Sequence, residues 1–252
     1  MTNPRWKRVL LKLSGEVLQG RGAAAGIDPE AVEAAARRIK QVTDMGIQVG
    51  LVIGAGNLFR GVPASQNSCI SRPTADYMGM LATVMNALAM RDTLEAIGVP
   101  ARVQTAISIE GVTDPFHQRK AVRHLEDGWV VIFGAGTGHP FFTTDTTAAL
   151  RACEIGADAI LKATKVDGVY SADPKKNPEA VRYERLAFTD ALKNRLKVMD
   201  STAFSLCMDN NIPIVVFDFF DSEVLMKTMH GDTGAATVVW NGETIVSRKT
   251  KA

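Results

Sequence analysis

Five short runs that read as strands constrain this chain more than any other feature: Val9–Leu13, Ile47–Ile53, Ala101–Thr105, Trp129–Phe133 and Ala159–Ala163. Between them lie longer segments with helical start and stop signals. Asp28-Pro29 supplies an N-cap followed by proline at the first helical position, opening a helix to about Met45 that stops at Gly46. A helix rich in methionine and alanine spans Thr74–Ala96, and another starts at Thr113-Asp-Pro115 and reaches about Glu126. Further helices are predicted over Thr146–Ile155 with Gly156 as the stop, around Thr189–Leu196 and Asp200–Asn210, and over Ser222–Met229. Ile214–Phe217 reads as another strand, and Thr237–Val246 as a hairpin around Asn241-Gly242. Strands alternating with helices imply an α/β protein, a three-layer α/β/α sandwich whose mainly parallel sheet is covered on both faces.

Composition removes several functional classes. At 252 residues an α/β chain of this kind fits in one domain. The formal net charge of +2 is too small to indicate a nucleic-acid partner or a membrane surface. No apolar run reaches the ~18 residues that span a bilayer. The basic start Met1–Arg8 does not read as a signal peptide, because Lys12 interrupts the apolar stretch behind it. Cys69, Cys153 and Cys207 have neither zinc spacing nor an even count, which points to the cytoplasm and to thiols that only pack.

Chemistry concentrates where strands end. Trp129–Phe133 leads into Gly134-Ala-Gly-Thr-Gly-His-Pro-Phe-Phe-Thr-Thr-Asp145, a strand-to-helix loop with three glycines, three threonines and one carboxylate. Glycines admit close backbone approach to an anion, and a helix N-terminus adds positive potential. Lys12-Leu-Ser-Gly15 and Gly54-Ala-Gly-Asn57 end two other strands. Ligands of open parallel sheets sit beyond the carboxyl ends of the strands, so the three loops share one crevice. Neither a P-loop motif nor a dinucleotide fingerprint occurs. Three phosphate-type loops exceed the needs of one nucleotide, and a donor with an acceptor would use all of them.

The stretches KLSGE (12–16), GIQVGLVIGAGNLFRG (46–61), MGMLATVMNALAMRD (78–92), GAGTGHPFFTTD (134–145) and KATKVDGVYSADP (162–174) resemble the bacterial uridylate kinases of the amino-acid kinase fold family, over nearly the whole chain. The resemblance implies transfer of the ATP γ-phosphate to UMP, with Mg²⁺ carried on ATP, no metal held by protein ligands alone, and a homohexamer built from dimers. It also implies one domain over residues 1–252, with UMP and oligomer contacts mainly in the N-terminal part and ATP mainly in the C-terminal part. Lys12, Leu13, Ser14 and Gly15 then meet the ATP phosphates, Lys162 is the second transfer lysine, and Thr164, Tyr170 and Asp173 hold adenine and the ATP ribose. Gly56 and Arg60 match the segment touching both nucleotides, where a triple glycine is replaced here by Gly54-Ala55-Gly56. Asp76 matches the residue on the UMP ribose, and Ala55 with Thr137, Gly138, His139, Pro140, Phe141, Phe142, Thr143 and Thr144 match the UMP-binding segments. His139 replaces the family's common asparagine. Asp145 and Asp200 each hold a Mg²⁺ water, orient a lysine or cap a helix; the pattern leaves all three open.

The resemblance extends to regulation by a GTP activator and a UTP inhibitor. Arg91 and Arg102 stand at activator positions, but Glu95 and Gln118 replace a histidine and a tryptophan. Glu95, four residues beyond Arg91, is expected to pair with it. A carboxylate or carbamate kinase of the same fold, and a nucleotide sensor without catalysis, are the rival readings. Lys12 and Lys162 speak against the second.

Overall fold

A computed structural model of the chain describes residues 4–246 apart from 21–24, 60–68, 165, 173, 175, 178, 195, 197, 233 and 235. The expected site residues Arg60 and Asp173 lie outside the described residues. In chain order the strands are β1 Arg8–Leu13, β2 Gln48–Ile53, β3 Ala101–Thr105, β4 Asp114–Pro115, β5 Val130–Gly134, β6 Ala159–Thr164, β7 Tyr183–Ala187, β8 Ile214–Asp218, β9 Ala236–Trp240 and β10 Ile245–Val246. The helices are α1 Pro29–Asp44, α2 Arg72–Ala96, α3 Gln118–Glu126, α4 Thr144–Ile155, α5 Phe188–Lys193, α6 Ser201–Asp209 and α7 Ser222–Met229.

All ten strands form one sheet, ordered β10-β7-β9-β8-β6-β1-β2-β5-β3-β4. From β8 through β6, β1, β2, β5 and β3 to β4 every neighbouring pair is parallel, so their carboxyl ends share one edge. Side chains alternate between faces. Leu11, Leu13, Leu51 and Ile53 meet Ile39 of α1, Met90 of α2 and Leu225 of α7. Leu10, Val52, Val131 and Ile160 meet Ala149 and Ala152 of α4, Leu125 of α3 and Phe204 of α6. Those two cores make the three layers. Cys207 is buried in the second, and that burial pushes its thiol up to about 12.

Several boundaries differ from the sequence reading. α2 begins at Arg72 with Ser71 as its cap, ahead of Thr74. The segment at Thr113-Asp-Pro115 starts no helix: Asp114–Pro115 pairs with β3 at the sheet edge, where a proline sacrifices no ladder bond, and α3 starts at Gln118. α4 begins at Thr144, capped by Thr143, so Asp145 sits in its first turn. The hairpin at 237–246 does not form. β7 lies between its two arms, parallel to β9 and antiparallel to β10. The turn instead folds over Trp240, whose indole N–H donates to the Glu243 carbonyl at 3.2 Å.

Candidate active site

Parallel register puts Lys12 of β1 beside Lys162 of β6, on the same face of adjacent strands. Two cations about 5 Å apart repel by roughly 3 kcal/mol at an effective dielectric of 20. Asp145, in the first turn of α4, lies between them: Lys12 Nζ is 2.8 Å from Oδ1 and Lys162 Nζ 2.7 Å from Oδ2. All three side chains are largely buried. Burial pushes the Asp145 carboxyl up, but the two ammonium groups outweigh it and hold the group below the usual carboxylate value. Burial pushes Lys162 down; Asp145 opposes that shift, and Lys12 adds to it. Lys162 also donates to the Val198 carbonyl. Asp145 thus pairs with both lysines at once.

The first loop beside this cluster is Ser14-Gly15. Ser14 caps a single 3₁₀ turn, Gly15–Leu18, by accepting from Glu16 N at 3.4 Å. Gly15 is packed against the second loop so closely that a Cβ there would meet Gly54 O at 2.5 Å and Gly56 N at 2.9 Å. Only glycine permits this approach, which brings the ends of β1 and β2 together as expected. The second loop is braced from below by an amide pair. Asn57 and Asn86 donate to each other at 3.0 and 2.8 Å, and Asn86 also donates to Gly54 O at 2.8 Å. Asn57 closes a loop named from the sequence, whereas Asn86 was not singled out; its signal was a polar residue on a mainly apolar helix face.

The third loop leaves β5 with positive φ at Ala135, Gly136 and Gly138. Ala135 N donates to Thr83 of α2 at 2.9 Å, which ties the loop to that helix. Thr143 accepts from Asp145 N and Thr146 N and donates to Asp200. Asp200 in turn caps α6 through Ala203 N at 2.8 Å and accepts from Thr146 Oγ1 at 2.9 Å. Its role here is therefore a cap that also anchors the loop.

A cleft opens on either side of the lysine–aspartate cluster. One, of ≈ 320 Å³, is lined by Ala55, Gly56, Asp76, Thr137, His139, Phe142, Thr143 and Thr144, together with Phe59, Met80, Thr83 and Thr147, which the sequence reading missed. Gly138, Pro140 and Phe141 complete its loop. His139 is exposed, with its Nδ1 3.2 Å from the Thr137 carbonyl. Asp76 is already engaged: Arg72 Nε donates to both its oxygens at 2.8 Å and Phe141 N to Oδ2 at 2.8 Å. The latter bond holds Phe141 at φ 71, a conformation a bulky residue rarely adopts. Arg72 also stacks 5.4 Å from the Phe141 ring centroid, so it is a site residue that the sequence reading passed over.

The other cleft, of ≈ 510 Å³, is lined by Lys162, Thr164, Tyr170 and Pro174 with apolar Val169, Leu196, Val198 and Val216. Tyr170 donates to Asp167 at 2.9 Å; burial and that carboxylate push its phenol up. Leu13 is buried beneath the cluster. Among the described residues no group of three or more His, Cys, Asp or Glu side chains could hold a metal ion, and no helix is long and apolar enough to cross a membrane.

Away from the clefts, the expected Arg91–Glu95 pair is absent. Arg91 binds the adjacent Asp92 at 2.7 Å, and Glu95 reaches Arg102 at 3.5 Å. Arg102 is drawn that way because it also lies 4.3 Å over the Trp129 ring. Gln118 donates to the Glu154 carbonyl at 2.9 Å.

Three glycine-containing loops, one of them also rich in threonine, surround a lysine–aspartate–lysine cluster on the carboxyl edge of a parallel sheet. The family model for the amino acid kinase family matches residues 7–218. The chain belongs to the amino acid kinase family and has its fold. Within the family it is similar to proteins named uridylate kinase from Legionella pneumophila strains Lens and Paris, each 57% identical over 228 residues, or 90% of this chain and 92% of theirs. Among solved structures, the UMP kinase of Bacillus anthracis superposes with a TM-score of 0.92 at 37% identity, covering 96% of this chain and 99% of that one. The UMP kinase of Ureaplasma parvum gives 0.87 at 36% identity, covering 94% and 100%.

Proposed function

We propose that this chain is an ATP-dependent UMP kinase of pyrimidine nucleotide synthesis, transferring the γ-phosphate of ATP to UMP to give UDP and ADP. The observation that carries the reading is the Lys12–Asp145–Lys162 cluster placed between two clefts. One cleft has the size and apolar lining for adenine, near Thr164 and Tyr170; the other, with Asp76 and the 137–144 loop, takes UMP. The likeness to uridylate kinases supports that assignment over a carboxylate or carbamate kinase of the same fold.

The chemistry is direct in-line transfer. The UMP phosphate is already ionised near neutral pH and is itself the nucleophile, so no side chain has to act as a base. Catalysis then consists of bringing two anions together and neutralising the moving phosphoryl group. Lys12 and Lys162 supply fixed positive charge, and the backbone of Ser14-Gly15 and Gly54–Gly56 supplies donors without reorganisation. Mg²⁺ is proposed to ride on the ATP phosphates with waters completing its shell. The donor set fits this, since Asp145 is occupied by two lysines and Asp200 by Ala203 N and two threonines.

We further propose a single catalytic domain, a cytoplasmic enzyme, and a homohexamer whose dimers meet through α2. That helix leaves Tyr77, Met78, Leu81 and Met85 exposed on its surface. GTP activation is expected to be weak, because Arg91 and Arg102 are already bound to Asp92, Glu95 and Trp129 and no tryptophan stands at 118. UTP is expected to inhibit by competing for the UMP cleft.

A coupled ADP-release assay across UMP, CMP, AMP, GMP and acetylglutamate tests the activity. Turnover with UMP far above the rest is expected, and preference for acetylglutamate would overturn the assignment. Repeating the UMP curves with GTP and UTP checks regulation: strong GTP activation lost in Arg91→Ala, or UTP inhibition that excess UMP fails to relieve, would contradict it. Asp76→Asn is expected to raise the KM for UMP by ~10-fold with little change for ATP, because an amide accepts ribose hydroxyls less well than a carboxylate. Equal damage to both substrates would make Asp76 only the residue that anchors Arg72 and Phe141.

A further inference from the structure

At the end of the sheet away from the active site, β8 begins and the antiparallel β9 finishes. A third cleft opens there, of ≈ 270 Å³, with Arg5, Arg185, Asn211, Val238, Trp240 and Asn241 in its lining. Among the described residues, eight arginines pair with carboxylates: Arg8, Arg37, Arg72, Arg91, Arg102, Arg123, Arg151 and Arg182. Arg5 and Arg185 have no such partner among the described residues, and they face the same cleft.

Both arginines are anchored near their bases. Arg5 N donates to Met229 O at 2.9 Å, and its stem lies along Gly231, where a Cβ would come within 2.9 Å of Arg5 Cδ. Arg185 stands in register with Val238 and carries its guanidinium 5.0 Å from the Trp240 ring centroid. The rim is tied by Asn241 Nδ2, which donates to Met208 O at 2.8 Å and to Asn211 Oδ1 at 2.7 Å. Arg5, Val238, Trp240 and Asn241, half of the lining residues, fall outside the 7–218 span matched to the family.

We propose that this cleft is a binding site for a small organic phosphate, with the phosphoryl group between Arg5 and Arg185 and the organic part along Val238 and Trp240. Two planar guanidinium forks match phosphate oxygens bidentately, and two positive charges balance a phosphate monoester near −2. A carboxylate would leave one of the cations unpaired.

The three tryptophans, Trp6, Trp129 and Trp240, allow a local readout by ¹⁹F NMR of protein labelled with 5-fluorotryptophan, with the Trp240 line assigned from Trp240→Phe. Phenyl phosphate, titrated at constant ionic strength, is expected to shift the Trp240 line saturably and to leave Trp129 unmoved. In the double variant Arg5→Ala/Arg185→Ala the affinity should fall by at least ~10-fold, with an unchanged Trp129 line showing that the fold is intact. Benzoate should bind at least ~10-fold more weakly than phenyl phosphate, and Lys12→Ala should leave the Trp240 response as it is, separating this cleft from the reaction site. A Trp240 line that stays still at tens of millimolar phenyl phosphate, a response that survives loss of both arginines, or an equal response to benzoate would overturn the proposal.

Discussion

Lys162→Ala is expected to lower kcat by ~10²–10³-fold while changing the affinity for either nucleotide far less, and Lys12→Ala to do the same. The two side chains occupy matched positions on adjacent parallel strands, and the ladder sets the spacing of their backbone positions. A charge placed in advance stabilises the transition state without reorganising at the moment of transfer, which is why its loss appears in turnover. Lysine is also the right residue at 162. Its buried ammonium reaches Asp145 and the Val198 carbonyl at once, leaving further donor capacity toward the cleft it lines. Steady-state kinetics with each substrate varied separately measures the split. Near-normal turnover in either variant would remove that lysine from the mechanism.

Asp145→Asn should produce the next largest effect, a fall in turnover of ~10²-fold together with a displaced pH profile. Burial and Lys12 both push the Lys162 ammonium toward losing its proton, and the Asp145 charge, with a smaller contribution from Asp200, opposes them. With asparagine at 145 the larger part of that opposition is gone, so Lys162 becomes neutral at a lower pH than in the parent enzyme. If activity requires the cation, the alkaline limb of the rate profile moves to lower pH. An alkaline limb at its original position would show that Lys162 works as a neutral donor. The carboxylate itself carries a stability signature. Its folded-state pKa is depressed, so its contribution is fully present above the ordinary carboxylate value near 4 and is lost as pH falls through the lower, folded value. Acid unfolding should therefore begin at higher pH in the parent, relative to its neutral stability, than in Asp145→Asn.

The parts of the fold legible in the sequence were those where one local signal had no competitor. Asp28-Pro29 made a cap and a first turn, and the helix starts there. Ala101–Thr105 and Ser222–Met229 fell where turn residues bounded them. The strand Tyr183–Ala187 went unread because Tyr-Glu-Arg-Leu-Ala has charged residues at its centre and its first three side chains are only half-buried, so burial does not enforce an apolar run. That omission also spoiled the hairpin reading. Asn241-Gly242 makes a turn, but the place expected for the second arm beside β9 is taken by a strand from about fifty residues earlier, a choice no local pattern records.

The candidate site divides in the same way. The loops at Lys12–Gly15 and Gly54–Asn57 were found from the residues at strand ends, whereas Lys162 came only with the family resemblance, and the structure brings Lys12, Gly15, Gly54 and Lys162 to one edge. What remained open was which of several plausible partners a side chain would choose. Asp145 and Asp200 have the same chemistry in sequence, yet one joins two lysines and the other two threonines and a helix end. Arg91 had Asp92 and Glu95 both within reach, and the cation–π contact between Arg102 and Trp129 is what draws Glu95 elsewhere. Such choices depend on tertiary geometry.

The unbroken parallel ladder from β8 to β5 runs beneath both clefts. Neighbouring strands in such a ladder stay about 4.8 Å apart, because hydrogen bonds fix the interval. The floor therefore acts as a ruler: the separation of the two lysines, and with it the room left for a phosphoryl group in flight, is written into strand spacing rather than into a hinge. Bringing donor and acceptor to reacting distance then falls to what lies above that floor, the 137–143 loop held by Asp76 and Asp200 and the segment around Tyr170. Substitutions in the strands would change the gauge itself, whereas substitutions in those loops would change only how often the gauge is used.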